Sequence, residues 1–458
     1  MSLLDSIREQ RRQYRRSLVV LDDDPMSGQS LYDVPVLTTW NAIALATEMR
    51  QSDVFVLVTD TRSMMRDDAL VRMREIGACL REASQRSRLE IDIALRGDST
   101  LRGHFPADLD ALLETLLPEG QPRPVCVFVP YFGEAGRVTL DDTQYVIEGE
   151  MLMPVAETQF ARDPVFGYVD SHLPSWLIKG SKGRLRSNQI VSVSIDDLRI
   201  GAPESVATKL GSVVHGRYVV VNATDDSDLE VLADAMTRAE AQRRRFVSVS
   251  AAPFVRVRAG MPRRDLLTRE EMLIEAPSGG GLTIVGSHID RAREQLAFAL
   301  SQEGVEGIEV DVEDAIYSAK NTSKERAIDV EQALSQGRDV VLHLGHGKPP
   351  SNADRAVAEG MRLSETLSGI VERLPTRPRY VMVKGGNTAS HIARKGLGVR
   401  RATILGQLLS GVPAWRLGSE ARWPELPFVI FAGNVGERES LYEAIEKLRR
   451  PFQTQHPI

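Results

Sequence analysis

Ser17-Leu18-Val19-Val20-Leu21-Asp22-Asp23-Asp24-Pro25 joins a short apolar run to three consecutive carboxylates and a proline. The run has strand length and no polar alternation. It therefore reads as a strand buried on both faces, and the proline ends it. Three carboxylates at one strand end repel each other and lose solvation unless a cation or hydroxyl meets them. Mg²⁺ ligation, hydrogen bonds to substrate hydroxyls and general-base work are all open to Asp22, Asp23 and Asp24. So is plain capping of neighbouring amides in a turn.

Working outward, apolar runs recur at 54–58, 91–95 and 125–129, and helical spacing covers 41–50, 67–86 and 107–117. Continuous apolar strands separated by helices predict a mostly parallel sheet with covered faces. Ligands of such sheets bind beyond the carboxyl ends of the strands. Those ends read Asp22-Asp23-Asp24, Asp60-Thr61-Arg62-Ser63, Arg96-Gly97-Asp98-Ser99-Thr100 and Pro130-Tyr131-Phe132. The first three are dense in charges and hydroxyls, which predicts one polar pocket. The longer string Arg96-Gly97-Asp98-Ser99-Thr100-Leu101-Arg102-Gly103-His104 places two arginines in a glycine-bearing loop. Such a pair can fork around a carboxylate, with Ser99 and Thr100 donating further hydrogen bonds. An internal Arg96–Asp98 ion pair shaping the loop is the plainer use of the same residues. His104 is either an acid/base group or a cap on the following helix.

A strand at 218–221 and a helix over 228–238 extend this half. Ser278-Gly279-Gly280-Gly281 then interrupts every periodicity and reads as a linker, giving domains at 1–277 and 278–458. Beyond it, strands end in Gly286-Ser287-His288, Gly345-His346-Gly347, Lys384-Gly385-Gly386-Asn387-Thr388 and Ala432-Gly433-Asn434-Val435-Gly436. Glycines let backbone N–H groups approach phosphates closely. The halves thus divide into a small polar substrate on one and a polyphosphate on the other. Gly345-His346-Gly347-Lys348-Pro349-Pro350-Ser351 is no P-loop, because its glycine spacing is wrong and two prolines remove amide donors. No dinucleotide fingerprint opens a helix. His343 and His346 lack a third zinc ligand and read as structural.

With 458 residues the chain exceeds one ordinary core. Net charge is −6, and the short arginine clusters at 11–16 and 243–245 read as solvated helix faces. Nucleic acid is therefore not an expected partner. No apolar run approaches membrane-spanning length, so no membrane is expected either. Cys79 and Cys126 are the only cysteines, which fits a reducing compartment, and the cytoplasm is the expected location.

Several segments together resemble the four-carbon acid sugar kinase family. They are Leu21-Asp22-Asp23-Asp24-Pro25, the 32–40 stretch, Thr61-Arg62-Ser63, the Arg96-to-His104 string and the 163–168 and 250–256 stretches. Gly286-Ser287-His288, Lys384-Gly385-Gly386-Asn387-Thr388, Lys395-Gly396-Leu397, the 411–415 stretch and Gly433-Asn434-Val435-Gly436 continue in family order. The resemblance implies an α/β protein of two domains, each a mostly parallel sheet flanked by helices, with the ligand cleft between them. It implies ATP- and Mg²⁺-dependent phosphorylation of a hydroxyl on a threonate, erythronate or 3-oxo-tetronate. ATP contacts are implied at Ser287, Gly385, Gly386, Asn387, Thr388 and Gly433, with Asn434 beside them. The chain departs from the family pattern at Met26-Ser27, Val249 and Asn387.

The mechanism expected from both readings docks the substrate carboxylate near Arg96, Ser99 and Thr100, with Arg62 beside them. Asp22, Asp98, Arg102 and His104 complete the substrate site. Asp23 and Asp24 meet the hydroxyls, and one of them orients the attacking oxygen and takes its proton late. Rival readings are a non-catalytic binding homologue, a kinase for another small hydroxy acid, and a nucleotide-free lyase or isomerase. A homodimer is an assembly left open.

Overall fold

The computed structural model describes residues 2–14, 16–24, 28–273, 279–287, 289–346 and 353–449. The readings that touch Pro25, Met26, Ser27, Ser278, His288 and 347–351 lie outside these residues. The chain divides into two compact units, Met1–Arg263 and Arg264–Ile458.

In the first unit the strands are β1 (Arg16–Asp22), β2 (Val34–Leu37), β3 (Val54–Val58), β4 (Glu90–Arg96), β5 (Val125–Val129), β6 (Arg137–Leu140), β7 (Thr143–Glu148), β8 (Met151–Pro154), β9 (Ile190–Val193), β10 (Tyr218–Val221) and β11 (Phe246–Ser250). The main sheet runs β2-β3-β1-β4-β11-β5-β10-β9, parallel throughout. Strand β5 shows why the apolar runs do not alternate. Cys126 and Phe128 enter one core, while Val125, Val127 and Val129 enter the other. Helices Ala42–Gln51, Arg66–Ser87 and Ala107–Leu116 cover the first of these faces, and Leu3–Tyr14, Pro203–Ser212 and Asp226–Ala241 the second. Burying a side chain of this size contributes about 1.5–3 kcal/mol, so both faces are strongly held. Gly77 permits the crossing of helices 66–87 and 107–116, since a Cβ there would lie 2.4 Å from Thr115 Oγ1.

The antiparallel sheet β6-β7-β8 was not legible from the sequence. Its first hairpin turns on Asp141 and Asp142, both at positive φ (49° and 57°), the conformation that two-residue hairpins need. Neither residue is a glycine, which hides the signal.

In the second unit the strands are β12 (Leu282–Val285), β13 (Val305–Val310), β14 (Asp339–Leu344), β15 (Val381–Lys384), β16 (Arg401–Leu409), β17 (Val412–Leu417) and β18 (Pro427–Phe431). Their order is β13-β14-β12-β15-β18-β17-β16, with β16 and β17 antiparallel to their neighbours in this unit. Met382, Val429, Leu441 and Ile445 belong to its core. The described glycines of the 278–281 run are packed within this unit. A Cβ on Gly280 would sit 1.6 Å from Arg338 O, and one on Gly281 2.3 Å from the Tyr380 ring. Glycine is required there by close approach.

Candidate functional site

In the first unit the chain leaves β1 toward β2 and β3 on one side, then crosses to β4 on the other. That reversal opens a crevice at the carboxyl ends of β1 and β4, the position where open α/β sheets bind ligands. The aspartate triplet and the Arg96-to-His104 loop both fall in it. Asp22 and Arg96 are register partners. Arg96 Nη1 donates to Asp22 Oδ1 at 3.0 Å, and its Nη2 to Gln29 Oε1 at 2.6 Å. Asp60, at φ 56°, starts the short 3₁₀ turn Thr61–Ser63, which swings Arg62 over the triplet. Arg62 donates to Asp24, and its Nη2 stands 3.8 Å from Asp23 Oδ1. Its Nη1 stands 3.7 Å from Asp98 Oδ1.

The loop after β4 is bent by Leu101 (φ 65°) and Gly103 (φ 142°). A buried non-glycine residue in the left-handed region stores strain that its surroundings must offset. Leu101 does so by packing into the core, 4 % exposed. The bend lets Arg102 Nε reach Asp98 Oδ2 at 2.6 Å, and Thr100 Oγ1 donates to the same oxygen. Ser99 and Thr100 are buried, and their carbonyls accept from Gln144 Nε2 at 2.9 Å and Tyr168 Oη at 2.6 Å. His104 Nε2 faces the Thr61 and Met64 carbonyls, each at 3.1 Å, so this nitrogen carries the proton and ties the loop to the 3₁₀ turn. Burial pushes His104 below its usual range against those two bonds. Its own carbonyl caps the next helix, accepting from Ala107 N at 2.9 Å.

A cavity of about 560 Å³, counting the part open to solvent, lies against this cluster. Leu21, Met73, Leu95, Phe128 and Trp176 form its apolar part, and Asp23, Arg96, Asp98, Arg102 and His104 its polar part. The electrostatics separate the acids. For Asp98, burial raises the pKa, but Arg62, Arg102 and the Thr100 hydroxyl outweigh it and hold the carboxyl at about 2. For Asp23, burial wins. It pushes the carboxyl up to about 7 against Arg62 and Arg96, with Asp22 and Asp98 adding to the rise. Asp23 Oδ1 is buried without a hydrogen-bond partner among the described residues. For Arg96, burial opposes the charge, but Asp22 and Asp23 raise its pKa overall.

The structure thus brings together Asp22, Asp23, Asp24, Arg62, Arg96, Asp98, Thr100, Arg102 and His104, whereas Ser99 does not line the cavity and its carbonyl is taken by Gln144. Two further residues of this cavity were given no role from the sequence. Ser250, at the end of β11, lines it with a buried Oγ that has no hydrogen-bond partner among the described residues. Asp108 lines it with a carboxyl raised by burial to about 6. Asp108 falls in the helix read over 107–117, and Ser250 opens the 250–256 stretch of the resemblance.

The second unit repeats the topology. From β12 the chain goes to β13 and β14 on one side and returns to β15 on the other. Gly286-Ser287 and Gly385-Gly386-Asn387-Thr388 meet at this reversal, with the β18 end beside them. A Cβ on Gly286 would lie 2.3 Å from Thr388 Oγ1, and one on Gly433 2.6 Å from Ser287 Oγ. Gly385 has φ 121°, and helix Gly386–His391 starts directly after it. Thr388 is buried, whereas Asn387 and Asn434 are exposed. The residues implied for ATP are therefore neighbours, with backbone amides and neutral polar groups at close quarters. This arrangement fits a polyphosphate. Helix Asp290–Leu300 secures the β18 turn, with Gln295 Nε2 donating to Val435 O at 3.0 Å. Lys384, quoted in the glycine motif without a role, is fully buried behind these turns. Among the described residues no group of three or more histidine, cysteine, aspartate or glutamate side chains is arranged to hold a metal. Among the same residues no helix is long and apolar enough to cross a membrane.

Comparison with known proteins gives matching results. A sugar-binding N-terminal domain family matches residues 18–258, and a nucleotide-binding C-terminal domain family matches 282–441. The unit boundary at 263/264 and the glycine run both fall between them. A D-threonate kinase of Bordetella bronchiseptica is 28 % identical over 414 residues, covering 88 % of this chain and 87 % of its own. Two crystal structures share the fold. A Salmonella typhimurium LT2 protein with a provisional tRNA synthase name has a TM-score of 0.69 at 17 % identity, covering 96 % of this chain and 100 % of that one. A Haemophilus influenzae protein of family DUF1537 has a TM-score of 0.62 at 18 % identity, covering 93 % and 99 %. With an acid-rich crevice in the half matched as sugar-binding and glycine-rich turns in the half matched as nucleotide-binding, the chain belongs to the four-carbon acid sugar kinase family.

Proposed function

We propose that this protein transfers the γ-phosphoryl group of ATP to a hydroxyl of a four-carbon sugar acid of the threonate class. The observation that carries the reading is Asp23: a buried carboxylate, one oxygen of which has no hydrogen-bond partner among the described residues, set between Arg62 and Arg96 in the wall of the crevice cavity. Its pKa of about 7 suits a general base at neutral pH. Asp24 is the weaker candidate for that role, because Arg62 already donates to it.

In this mechanism Arg62 and Arg102 receive the substrate carboxylate, helped by the Ser250 hydroxyl, while Thr100 holds Asp98 in place. Arg96, held by Asp22, keeps positive charge beside Asp23. Asp23 accepts a hydrogen bond from the acceptor hydroxyl and takes its proton as the new P–O bond forms and the bond from Pγ to the bridging oxygen breaks, ADP leaving with that oxygen. Ser287, the Gly385–Thr388 turn and Gly433 hold the nucleotide's phosphates. When bound, Mg-ATP supplies the phosphoryl group and the cation that offsets its charge, Mg²⁺ keeping several waters.

A coupled ADP-release screen with Mg-ATP and a panel of three- to six-carbon sugar acids tests the reading. Turnover is expected with at least one four-carbon acid. ATP binding without ADP release on any acid would leave a binding protein in its place.

A further inference from the structure

Lys384 ends β15 with its side chain wholly buried. Its Nζ donates to Ala432 O at 2.9 Å and lies 3.9 Å from the centre of the Phe431 ring. An ammonium has three protons to donate. One carbonyl and one ring face leave most of its charge uncompensated. No carboxylate among the described residues pairs with it. The charged group that acts on it is Arg291, on helix Asp290–Leu300, which itself pairs with Glu437 at 2.9 Å. Chains rarely bury an unpaired cation, because desolvation is not repaid. Here the cation sits against the turns expected to take phosphates: Ala432 precedes Gly433, which abuts Ser287, and Gly385 is the next residue along the chain.

We propose that Lys384 is the buried counter-charge for the nucleotide's phosphates, acting from behind the Ser287, Gly385 and Gly433 turns. The inference rests on the nucleotide-binding reading of this unit. It makes Lys384 a positioning residue that acts through the field it sets up at the turns. A consequence follows for protons. Burial, then Arg291, pushes Lys384 down to about 7, so part of the free population is neutral. Seated phosphates favour the charged form, and nucleotide binding takes up a proton.

Calorimetric titration of the full chain with Mg-ATP, Mg-ADP and adenosine tests this. Lys384→Met keeps an unbranched side chain and removes the charge. It should weaken ATP and ADP at least tenfold, leave adenosine within about twofold, and melt no lower than the parent protein. Lys384→Arg should recover most of the phosphate preference. Unchanged ATP affinity in Lys384→Met overturns the proposal. So does a parallel loss of adenosine affinity, which would mean that the lysine merely shapes the turn. Should Lys384→Met fail to fold, Lys384→Gln takes its place in the same three titrations, and unchanged ATP affinity or a parallel loss of adenosine affinity in that variant overturns the proposal. A parent protein that binds sugar acid but no nucleotide refutes the kinase reading itself.

Discussion

Asp22 and Arg96 close the carboxyl ends of two adjacent parallel strands in direct register, with Arg96 Nη1 3.0 Å from Asp22 Oδ1. Both are buried, Asp22 to 2 % and Arg96 to 8 % exposure. Removing one partner of such a pair leaves a desolvated charge, which costs on the order of 3 kcal/mol. Arg96→Ala should therefore lower the melting temperature by several degrees, and a sugar acid in excess should restore little of it. Arg96→Lys should keep the fold and raise KM for the sugar acid several-fold, because a lysine cannot bond Asp22 and Gln29 together. A calorimetric scan of Arg96→Ala that matches the parent would remove this pair from the architecture.

The two neighbouring acids should separate kinetically. Asp23→Asn keeps the shape and removes the base, so kcat should drop by about 100-fold or more. Asp24→Asn loosens Arg62 and should act mainly through KM. Steady-state kinetics with the best sugar acid and Mg-ATP distinguish them. Near-normal kcat in Asp23→Asn would pass the base role to another group.

The Asp23 shift sets a pH profile. The base works when ionised, so kcat/KM should rise with pH and level off above an apparent pKa of about 7. Replacing Asp23 by Asn should flatten that limb in the residual activity. A wild-type profile level from about pH 5 upward would contradict the assignment.

The same shift has a consequence for stability, with a definite sign. Asp23 binds its proton more tightly in the folded state, where its pKa is about 7, than unfolded near 3.8. The folded state therefore loses relative stability as pH rises across that interval, and the loss is complete above it. Asp23→Asn removes this penalty. It should melt a few degrees above the parent protein at about pH 8 and gain little at about pH 4. A difference in melting temperature that does not change with pH would show that burial is not what raises Asp23.

In the second unit Gly385 carries the sharpest constraint. Its φ of 121° is strained for any residue with a Cβ, and that Cβ would stand 3.5 Å from Ser287 N. Gly385→Ala should weaken Mg-ATP binding at least tenfold while sugar-acid binding stays within about twofold. Equal losses of both ligands would indicate general unfolding of the turn region.

The apolar runs, the helices between them and the polar strand ends could be read from the chain because they depend on local composition. Val19-Val20-Leu21 and Val125–Val129 lack alternation because both sheet faces are covered, and burial of that kind leaves a one-dimensional trace. The Arg96-to-His104 loop and the glycine turns likewise announced themselves as clusters of residue types. Their partners did not. Which acid is held by Arg62 and which keeps an unpartnered oxygen depends on a left-handed Asp60 and on strand register, and three adjacent aspartates look alike in sequence. Ser250 and Asp108 join the cavity from 154 and 12 residues beyond Arg96 only because β11 lies against β4 and helix Ala107–Leu116 follows the bent loop. Lys384 shows the same division: its place at a strand end is written in the chain. That no carboxylate among the described residues pairs with it is decided by packing, because electrostatic energy depends on distance and desolvation, and those exist only once the strands are assembled.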